Sequence, residues 1–286
     1  MASGELYVVG TPIGNLSDLS ARATETLRGV GVVYAEDTRR TRVLLRHVDS
    51  QATLRSLHAH NEAARTEELL ERLAAGESCA LVTDAGMPGI SDPGSRAIEA
   101  AARAGFRVVP VPGPSAVLTA LAISGLPASR FAFLGFPPRG GRRRQEWLGQ
   151  AARSSMTVVA FESPRRLASL LSALAAGGLG ERQCVVCREL TKVHEEIRRG
   201  TVSSLAEYYS ETEPRGEVTL VFEGLSGPRS DVETEGDRCG EAERAAREMA
   251  KRGRTTSEIV RSLIEQYGLP RNGAYRIALR VGKDEG

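Results

Sequence analysis

Side chains and main-chain groups able to handle a small ligand gather in this chain where short apolar runs give way to glycine and proline. Ala80-Leu81-Val82 reads as a strand, and it runs into Thr83-Asp84-Ala85-Gly86-Met87-Pro88-Gly89-Ile90-Ser91-Asp92-Pro93-Gly94. Glycines let amides and carbonyls approach a ligand with no Cβ in the way, and prolines hold such a loop in one shape. A plain strand-to-helix connection needs about two to six residues, so this longer loop with two carboxylates reads as a binding loop. Three more loops share the pattern: Gly10-Thr11-Pro12-Ile13-Gly14-Asn15-Leu16, Ala35-Glu36-Asp37-Thr38-Arg39-Arg40-Thr41 and Val111-Pro112-Gly113-Pro114-Ser115-Ala116. In a parallel sheet, loops after the carboxyl ends of strands converge on one edge, where they can line one pocket. Neither G-x-G-x-x-G nor a Walker lysine motif is present, which argues against ordinary dinucleotide or nucleoside-triphosphate binding.

The elements that must position these loops follow from hydrophobic period. Strands are expected at 6–9, 30–35, 79–82 and 108–111, with helices near 38–47, 61–75, 95–104 and 115–123, which makes βαβ units around a mainly parallel sheet. Gly125-Leu126-Pro127 breaks the pattern. A second set has strands at 131–134, 157–161, 183–188, 195–199 and 217–222 and helices near 142–153 and 165–174. The fold class is therefore α/β, with two domains (1–124 and 125–224) and a cleft between them. Residues 225–240 are Gly, Ser, Pro and acid and read as a flexible linker. Residues 241–286 read as a small basic helical extension: Thr255-Thr256-Ser257-Glu258 has the capping-box form, Gly268-Leu269-Pro270 stops one helix, and Asn272 can cap the next.

Composition narrows the function classes. Net charge is only +2 over 286 residues, but its distribution is uneven. Residues 231–243 are strongly acidic, whereas 244–283 carry ten Lys and Arg against Glu248, Glu258 and Glu265, a pattern expected where a chain meets nucleic acid. Arg139-Gly140-Gly141-Arg142-Arg143-Arg144 points the same way, because arginines at a helix start oppose its dipole and need another reason to be there. Arg39, Arg40, Arg42 and Arg46 extend the basic surface. No secretion signal and no apolar run near the ~20 residues of a membrane span is seen, so a soluble cytoplasmic protein is expected, with no membrane partner. Cys184 and Cys187 are three apart in an apolar run, so they face opposite sides of a strand and suit a core better than redox or zinc chemistry. His58 and His60 lack a third ligand, and no metal is expected.

The four loops, together with His58-Ala59-His60-Asn61-Glu62, Phe161-Glu162-Ser163-Pro164-Arg165-Arg166-Leu167 and Arg188-Glu189-Leu190-Thr191-Lys192, resemble the tetrapyrrole methylase superfamily of S-adenosylmethionine (SAM) enzymes, in its rRNA-methylating branch. The resemblance runs in order from about Leu6 to Glu223, and the basic tail is similar to that branch's C-terminal extension. It implies two α/β/α domains with SAM in the cleft, 2′-O-methylation of a decoding-centre cytidine in 16S rRNA of the small ribosomal subunit, and a homodimer. By analogy, Pro12, Ile13, Asp84, Gly86, Met87, Ile90, Ser91, Pro112, Ser115, Ala116, Phe161 and Glu162 bind the cofactor. Tetrapyrrole methylases usually carry Gly-Asp-Pro where this chain has Gly86-Met87-Pro88, so one acidic contact is missing.

A ribose hydroxyl is a weak acid, and a positioned base helps to deprotonate it. Glu36, Asp37, His60, Glu62, Asp84, Glu162 and Glu189 are the candidates, with Arg39 and Lys192 to hold phosphate or polarise the hydroxyl; Asp37 serves equally well as a helix cap. Arg39, Arg40, Arg139, Arg142, Arg143 and Arg144 are expected to meet RNA phosphates. Two other functions fit parts of the sequence. A small-molecule or tetrapyrrole methylase would share the fold and cofactor but have little use for the basic tail. A non-catalytic RNA-binding factor would need no cofactor loops.

Overall fold

A computed structural model describes residues 3–225, 232–252, 254–267 and 271–283. Two compact units meet in the chain between Leu225 and Ser226. The larger opens with β1 (Glu5–Val9), α1 (Ala21–Gly29), β2 (Val32–Ala35), α2 (Thr38–His47), β3 (Thr53–Ser56), α3 (Glu62–Ala74), β4 (Cys79–Val82), α4 (Ser95–Arg103), β5 (Arg107–Val111) and α5 (Ala116–Ser124). Its five strands form a wholly parallel sheet in the order β3-β2-β4-β1-β5. Side chains alternate across it as the strand period requires. Val33, Ala35, Ala80 and Val82 pack with Leu27 of α1 and Leu44 of α2, while Val32, Tyr34, Cys79 and Leu81 pack with Leu69 of α3 and Ala97 of α4. Both faces are thus dry, and this is why the strands read as continuous apolar runs.

The chain continues through β6 (Phe131–Phe133), α6 (Gly141–Arg153), β7 (Thr157–Glu162), α7 (Pro164–Leu174), β8 (Gln183–Arg188), β9 (Glu196–Thr201), α8 (Val202–Glu211) and β10 (Val218–Phe222). These strands make a second sheet, β6-β7-β10-β8-β9, parallel only between β6 and β7. Helices α6, α7 and α8 cover one face through Trp147, Leu167, Leu171 and Leu205. The other face is covered from the first half of the chain: Val117, Ala120 and Leu121 of α5, with Ile13 of the first loop, pack on Val159, Val185, Cys187 and Val221. A fully buried Leu or Val stabilises by about 1.5–3 kcal/mol, so this contact joins the two sheets. Cys184 and Cys187 do face opposite cores, and burial raises both thiols, Cys187 to about 11.

Three elements have no counterpart in the pattern reading. Helix α1 buries only Ala23 and Leu27. Strand β3 is a short polar edge with no fully buried residue, and α8 is rich in Ser, Tyr and Glu. In the smaller unit, α9 (Val232–Lys251) begins inside the stretch read as a linker; its Glu, Ala and Arg content is that of a good helix former. Residues 226–231 and the Gly268-Leu269-Pro270 stop lie outside the described residues. Helices α10 (Thr256–Tyr267) and α11 (Arg271–Lys283) complete the unit, with Ala246, Ile259, Leu263, Ala274 and Ile277 at its core. The capping box forms: Thr255 N donates to Glu258 at 2.9 Å and Glu258 N to Thr255 Oγ1 at 3.4 Å. Asn272 lies inside α11 rather than at its cap.

The ends of β1 and β5 stay in contact beyond the sheet. Gly10 N donates to Val111 O at 2.9 Å, and a Cβ on Gly113 would sit 2.6 Å from the Gly10 carbonyl carbon. Substituting Gly113→Ala should therefore cost about 1–3 kcal/mol, read as a lower midpoint in urea unfolding; an unchanged midpoint would contradict this packing.

Candidate active site

The loops after β1, β2, β4 and β5 meet at one cavity of about 840 Å³. The first loop supplies Ile13, the second Glu36 and Arg40, the third residues 84–87 and 90–92, and the fourth Pro112, Gly113, Ser115 and Ala116; β7 adds Phe161 and Glu162 from the second sheet. Main-chain bonds hold the loops to one another: Thr11 N donates to Gly86 O at 2.9 Å, Gly86 N to Thr11 O at 3.1 Å, and the buried Thr11 hydroxyl to Thr83 O at 3.1 Å. The third loop reaches the pocket in a left-handed conformation at Gly86, Gly89, Ser91 and Gly94. Only glycine fits at Gly94, where φ is +116° and a Cβ would lie 2.8 Å from Leu81 Cδ2.

Most of the wall is apolar. Phe161 packs edge-on against Phe133, with ring centroids 5.0 Å apart, and near Phe136 at 5.3 Å. Ile90, Leu118 and Phe136 are exposed large apolar side chains, and all three line this cavity, which suits the flat face of an organic ligand. Against this background one carboxylate stands out. The Glu162 side chain is fully buried; its Oε1 is bound by Arg166 at 2.5 Å and by Ser163 N at 2.7 Å, whereas its Oε2 has no partner. A buried acceptor left open costs about 1–3 kcal/mol, so this oxygen fits a donor carried by the ligand.

The opposite wall is acidic. Asp84 is tied down, accepting from Asp37 N at 3.0 Å and pairing with Arg40 at 3.4 Å. Burial, with the Asp84 charge beside it, raises the Glu36 carboxyl. Asp92 is raised further, to about 7, by burial and then by the negative charges of Glu36, Asp84 and Glu217. A second cavity of about 200 Å³ shares Ile13, Arg40, Asp84, Ala85 and Glu217 with the first and adds Pro12 and Lys192. Lys192 bridges Glu189 at 2.8 Å and Glu217 at 3.0 Å; burial alone would lower its ammonium, but these two carboxylates raise it.

Of the expected cofactor residues, all line the large cavity except Pro12, which lines the small one. Met87 packs against the core, and a Cβ on Gly10 would lie 2.6 Å from its Sδ. The expected catalytic residues are dispersed. Glu36 lines the large cavity and Lys192 the small one; Asp37, Arg39, His60 and Glu62 line neither. Asp37 is the α2 cap, accepting from Arg39 N at 2.8 Å and from the Arg39 guanidinium at 2.7 Å, and those bonds lower its carboxyl to about 2. Glu62 accepts from Gly94 N and Arg96 N at the start of α4. His60 is exposed beside His58. The arginines of the 139–144 stretch lie at the start of α6, where Arg142 pairs with Glu146 at 2.8 Å and Arg144 reaches Pro138 O at 3.3 Å. Asp92 and Glu217 escaped the sequence reading. The Asp92-Pro93 step was the available signal, because proline restricts the residue before it; nothing local marks Glu217.

Residues 5–206 match the family model described as tetrapyrrole (corrin/porphyrin) methylases. Ribosomal RNA small subunit methyltransferase I of Synechocystis is 42% identical, covering 98% of this chain and 99% of that protein, and the one of Escherichia coli O157:H7 is 40% identical over 97% and 96%. The chain belongs to the ribosomal RNA small subunit methyltransferase I group of the tetrapyrrole methylase family. The fold agrees: uroporphyrin-III C-methyltransferase from Thermus thermophilus, solved as a complex with S-adenosylhomocysteine, superimposes with a TM-score of 0.56 at 19% identity, covering 77% of this chain and 97% of that one. Among the described residues of this methylase, no group of three or more His, Cys, Asp and Glu is placed to hold a metal ion, and no helix is long and apolar enough to cross a membrane.

Two measurements check the electrostatics. Arg166→Ala leaves the buried Glu162 charge uncompensated and should cost about 3 kcal/mol in chemical unfolding; a loss below 1 kcal/mol would refute the pairing. Asp92, raised to about 7 in the folded chain, stays protonated where the unfolded chain has ionised, so the native state binds more protons and stability falls as pH rises from about 4 to 7. Asp92→Asn should flatten that window and be the more stable variant at pH 8.

Proposed function

We infer that this methylase transfers a methyl group from SAM to the ribose 2′-hydroxyl of a decoding-centre cytidine in 16S rRNA of the small ribosomal subunit, acting in the cytoplasm as a homodimer. The observation that carries the cofactor half is the apolar cavity with one open, buried carboxylate oxygen. Glu162 Oε2 offers an acceptor to the cofactor's ammonium, Ile13, Ile90, Ala116 and Phe161 offer apolar contact, and main-chain groups of the Gly86 and Gly113 loops offer hydrogen bonds. SAM, when bound, supplies an electrophilic methyl group on a sulfonium.

What the chain must then do is place an oxygen and take up its proton. The acidic wall of Glu36, Asp84 and Asp92 bears on which acceptor is favoured. It repels a substrate that brings carboxylates into the pocket, as tetrapyrroles do, and accepts a neutral hydroxyl. The phosphates flanking such a hydroxyl need cations outside the pocket, and Arg39 and Arg40 stand at the first turn of α2. Arg139 and Arg143 are exposed near the start of α6, and the basic tail adds further charge. The RNA reading also draws on the names of the two relatives, and its detail, cytidine and 2′-oxygen, on the motif resemblance.

Incubation of the enzyme with methyl-labelled SAM and small subunits lacking the modification should put label on one ribose 2′-oxygen at the decoding centre, located by nuclease mapping. Label on a base, or none on subunits and free rRNA alike, would overturn this reading. In the same assay system, the double variant Arg139→Ala, Arg143→Ala should weaken subunit binding several-fold and reduce its slope against log salt by about 1–2, with affinity for S-adenosylhomocysteine unchanged. An unchanged salt slope would remove these arginines from the RNA surface.

A further inference from the structure

A 2′-hydroxyl acceptor raises the question of where its proton goes, and the candidates can be compared by what already occupies each of them. The Asp37 carboxylate caps α2 and is clamped by Arg39. Asp84 accepts one main-chain amide and faces Arg40. Glu62 accepts two amides at the start of α4, Glu162 holds Arg166 and Ser163 N, and Glu189 holds Lys192 and Glu217 N. His60 does not line either cavity. Glu36 lines the large cavity and accepts a main-chain hydrogen bond from Asp84. Apart from the unpartnered Glu162 Oε2, which is buried beside Arg166, these groups are held by donors or stand away from the pocket, and a carboxylate so bound is a poor proton acceptor.

Asp92 differs in having no such donor. It lines the large cavity, it is half-buried, and among the described residues no hydrogen bond or ion pair reaches its carboxyl group. The backbone on either side of it is constrained. Ser91 before it is left-handed at φ +64°, Pro93 follows it, and Gly94 is left-handed against Leu81. A non-glycine residue held at positive φ stores strain that the surroundings must maintain, a feature that concentrates at functional sites. The groups acting on Asp92 from neighbouring elements are acidic: Glu36 at the end of β2, Asp84 at the end of β4 and Glu217 at the start of β10. The cations beside these groups are engaged: Arg40 of α2 pairs with Asp84, and Lys192 pairs with Glu217 and Glu189.

We propose that Asp92 is the catalytic base, accepting the 2′-hydroxyl proton of the RNA acceptor in the large cavity. The proposal rests on the methyl-transfer reading above. As the ribose oxygen bonds to the donated methyl carbon, the C–S electron pair stays on sulfur and the hydroxyl proton passes to the Asp92 carboxylate. The products are a methyl ether, a neutral thioether and a carboxylic acid, so the sulfonium and carboxylate charges cancel. A carboxyl raised to about 7 is matched to this work near neutral pH, where a base is both ionised and basic enough to pull. Glu36 acts through Asp92: its negative charge keeps that carboxyl basic, and it is a positioning residue.

The experiment compares unmodified enzyme, Asp92→Asn, Asp92→Glu and Glu36→Gln, with label transfer to undermethylated subunits followed from pH 5.5 to 9. The unmodified enzyme should show an acidic limb near pH 7. Asp92→Asn should lose about 10²–10⁴-fold in kcat and the limb with it, while KM for subunits and affinity for S-adenosylhomocysteine stay within about twofold. Asp92→Glu should recover part of the rate, and Glu36→Gln should move the limb to lower pH. Carbon-13 carboxyl resonances of the unmodified protein, recorded without RNA or cofactor, give a readout independent of turnover: one aspartate should titrate near 7 and shift down in Glu36→Gln. Should Asp92→Asn not fold, the position of the limb and its Glu36→Gln shift still decide. A folded Asp92→Asn with unmodified kcat, a limb that Glu36→Gln leaves in place, or no aspartate titrating above 6 would overturn the role of Asp92 alone. Failure of the unmodified enzyme to label any RNA would instead overturn the reading beneath it.

Discussion

The main-chain bridge between Thr11 and Gly86, with Gly10 pressed against Gly113, is the constraint on which the site depends. Three loops from three different strands can share one cavity only if their backbones touch, and side chains at Gly10 and Gly113 would hold them apart. A Cβ on Gly10 would lie 2.6 Å from both Gly113 N and Met87 Sδ. The bridge also orients the rest of the third loop. Once Gly86 is hydrogen-bonded to Thr11, the left-handed turns at Gly89, Ser91 and Gly94 carry Ile90 and Asp92 to opposite duties, one to the apolar rim and one to the acidic wall. The parallel sheet behind makes this possible, because the carboxyl ends of β1, β4 and β5 lie side by side.

The second constraint is the way one helix serves two sheets. Helix α5 leaves the first sheet and buries Val117 and Leu121 on the second, while Ser115 at its start both caps it and lines the cavity. The pocket floor is therefore core on either side, and the two walls can carry opposite chemistry. Phe133, Phe161 and the closed Glu162–Arg166 pair make a dry wall with one open acceptor. Glu36, Asp84, Asp92 and Glu217 make a wall whose charges repel one another, and Arg40 on Asp84 and Lys192 on Glu217 offset only part of that repulsion. Such an arrangement costs stability and is characteristic of sites that move protons.

Sequence pattern carried the fold far. Both sheets, the four loops and the Thr255–Glu258 capping box were legible because each rests on a local rule: period-two burial, glycine and proline at strand ends, or a three-residue cap spacing. The three-residue spacing of Cys184 and Cys187 likewise predicted their separate cores. The misses are where no local rule operates. Strand β3 is polar because it sits at an edge, and α1 needs to bury only Ala23 and Leu27. The acidic stretch before residue 244 looked like a linker, since the same Glu and Arg residues serve a solvated helix and a disordered chain. Among site residues, the four loops that line the cavity were legible because glycine and proline at strand ends mark them, whereas Phe161 and Glu162 came from the motif resemblance. The order among carboxylates was not, because it depends on tertiary partners: Glu62 is used by Gly94 and Arg96, and Asp92 is raised by burial and then by the charges of Glu36, Asp84 and Glu217.

A crystal structure with S-adenosylhomocysteine decides whether the four-loop cavity is the cofactor site and whether the unpartnered Glu162 oxygen serves it. The ligand should lie in this cavity, with its amino group within hydrogen-bond distance of Glu162 Oε2 and Arg166 still on Oε1. Ligand density outside the cavity, or a Glu162 carboxylate satisfied by water with the ligand elsewhere, would contradict it.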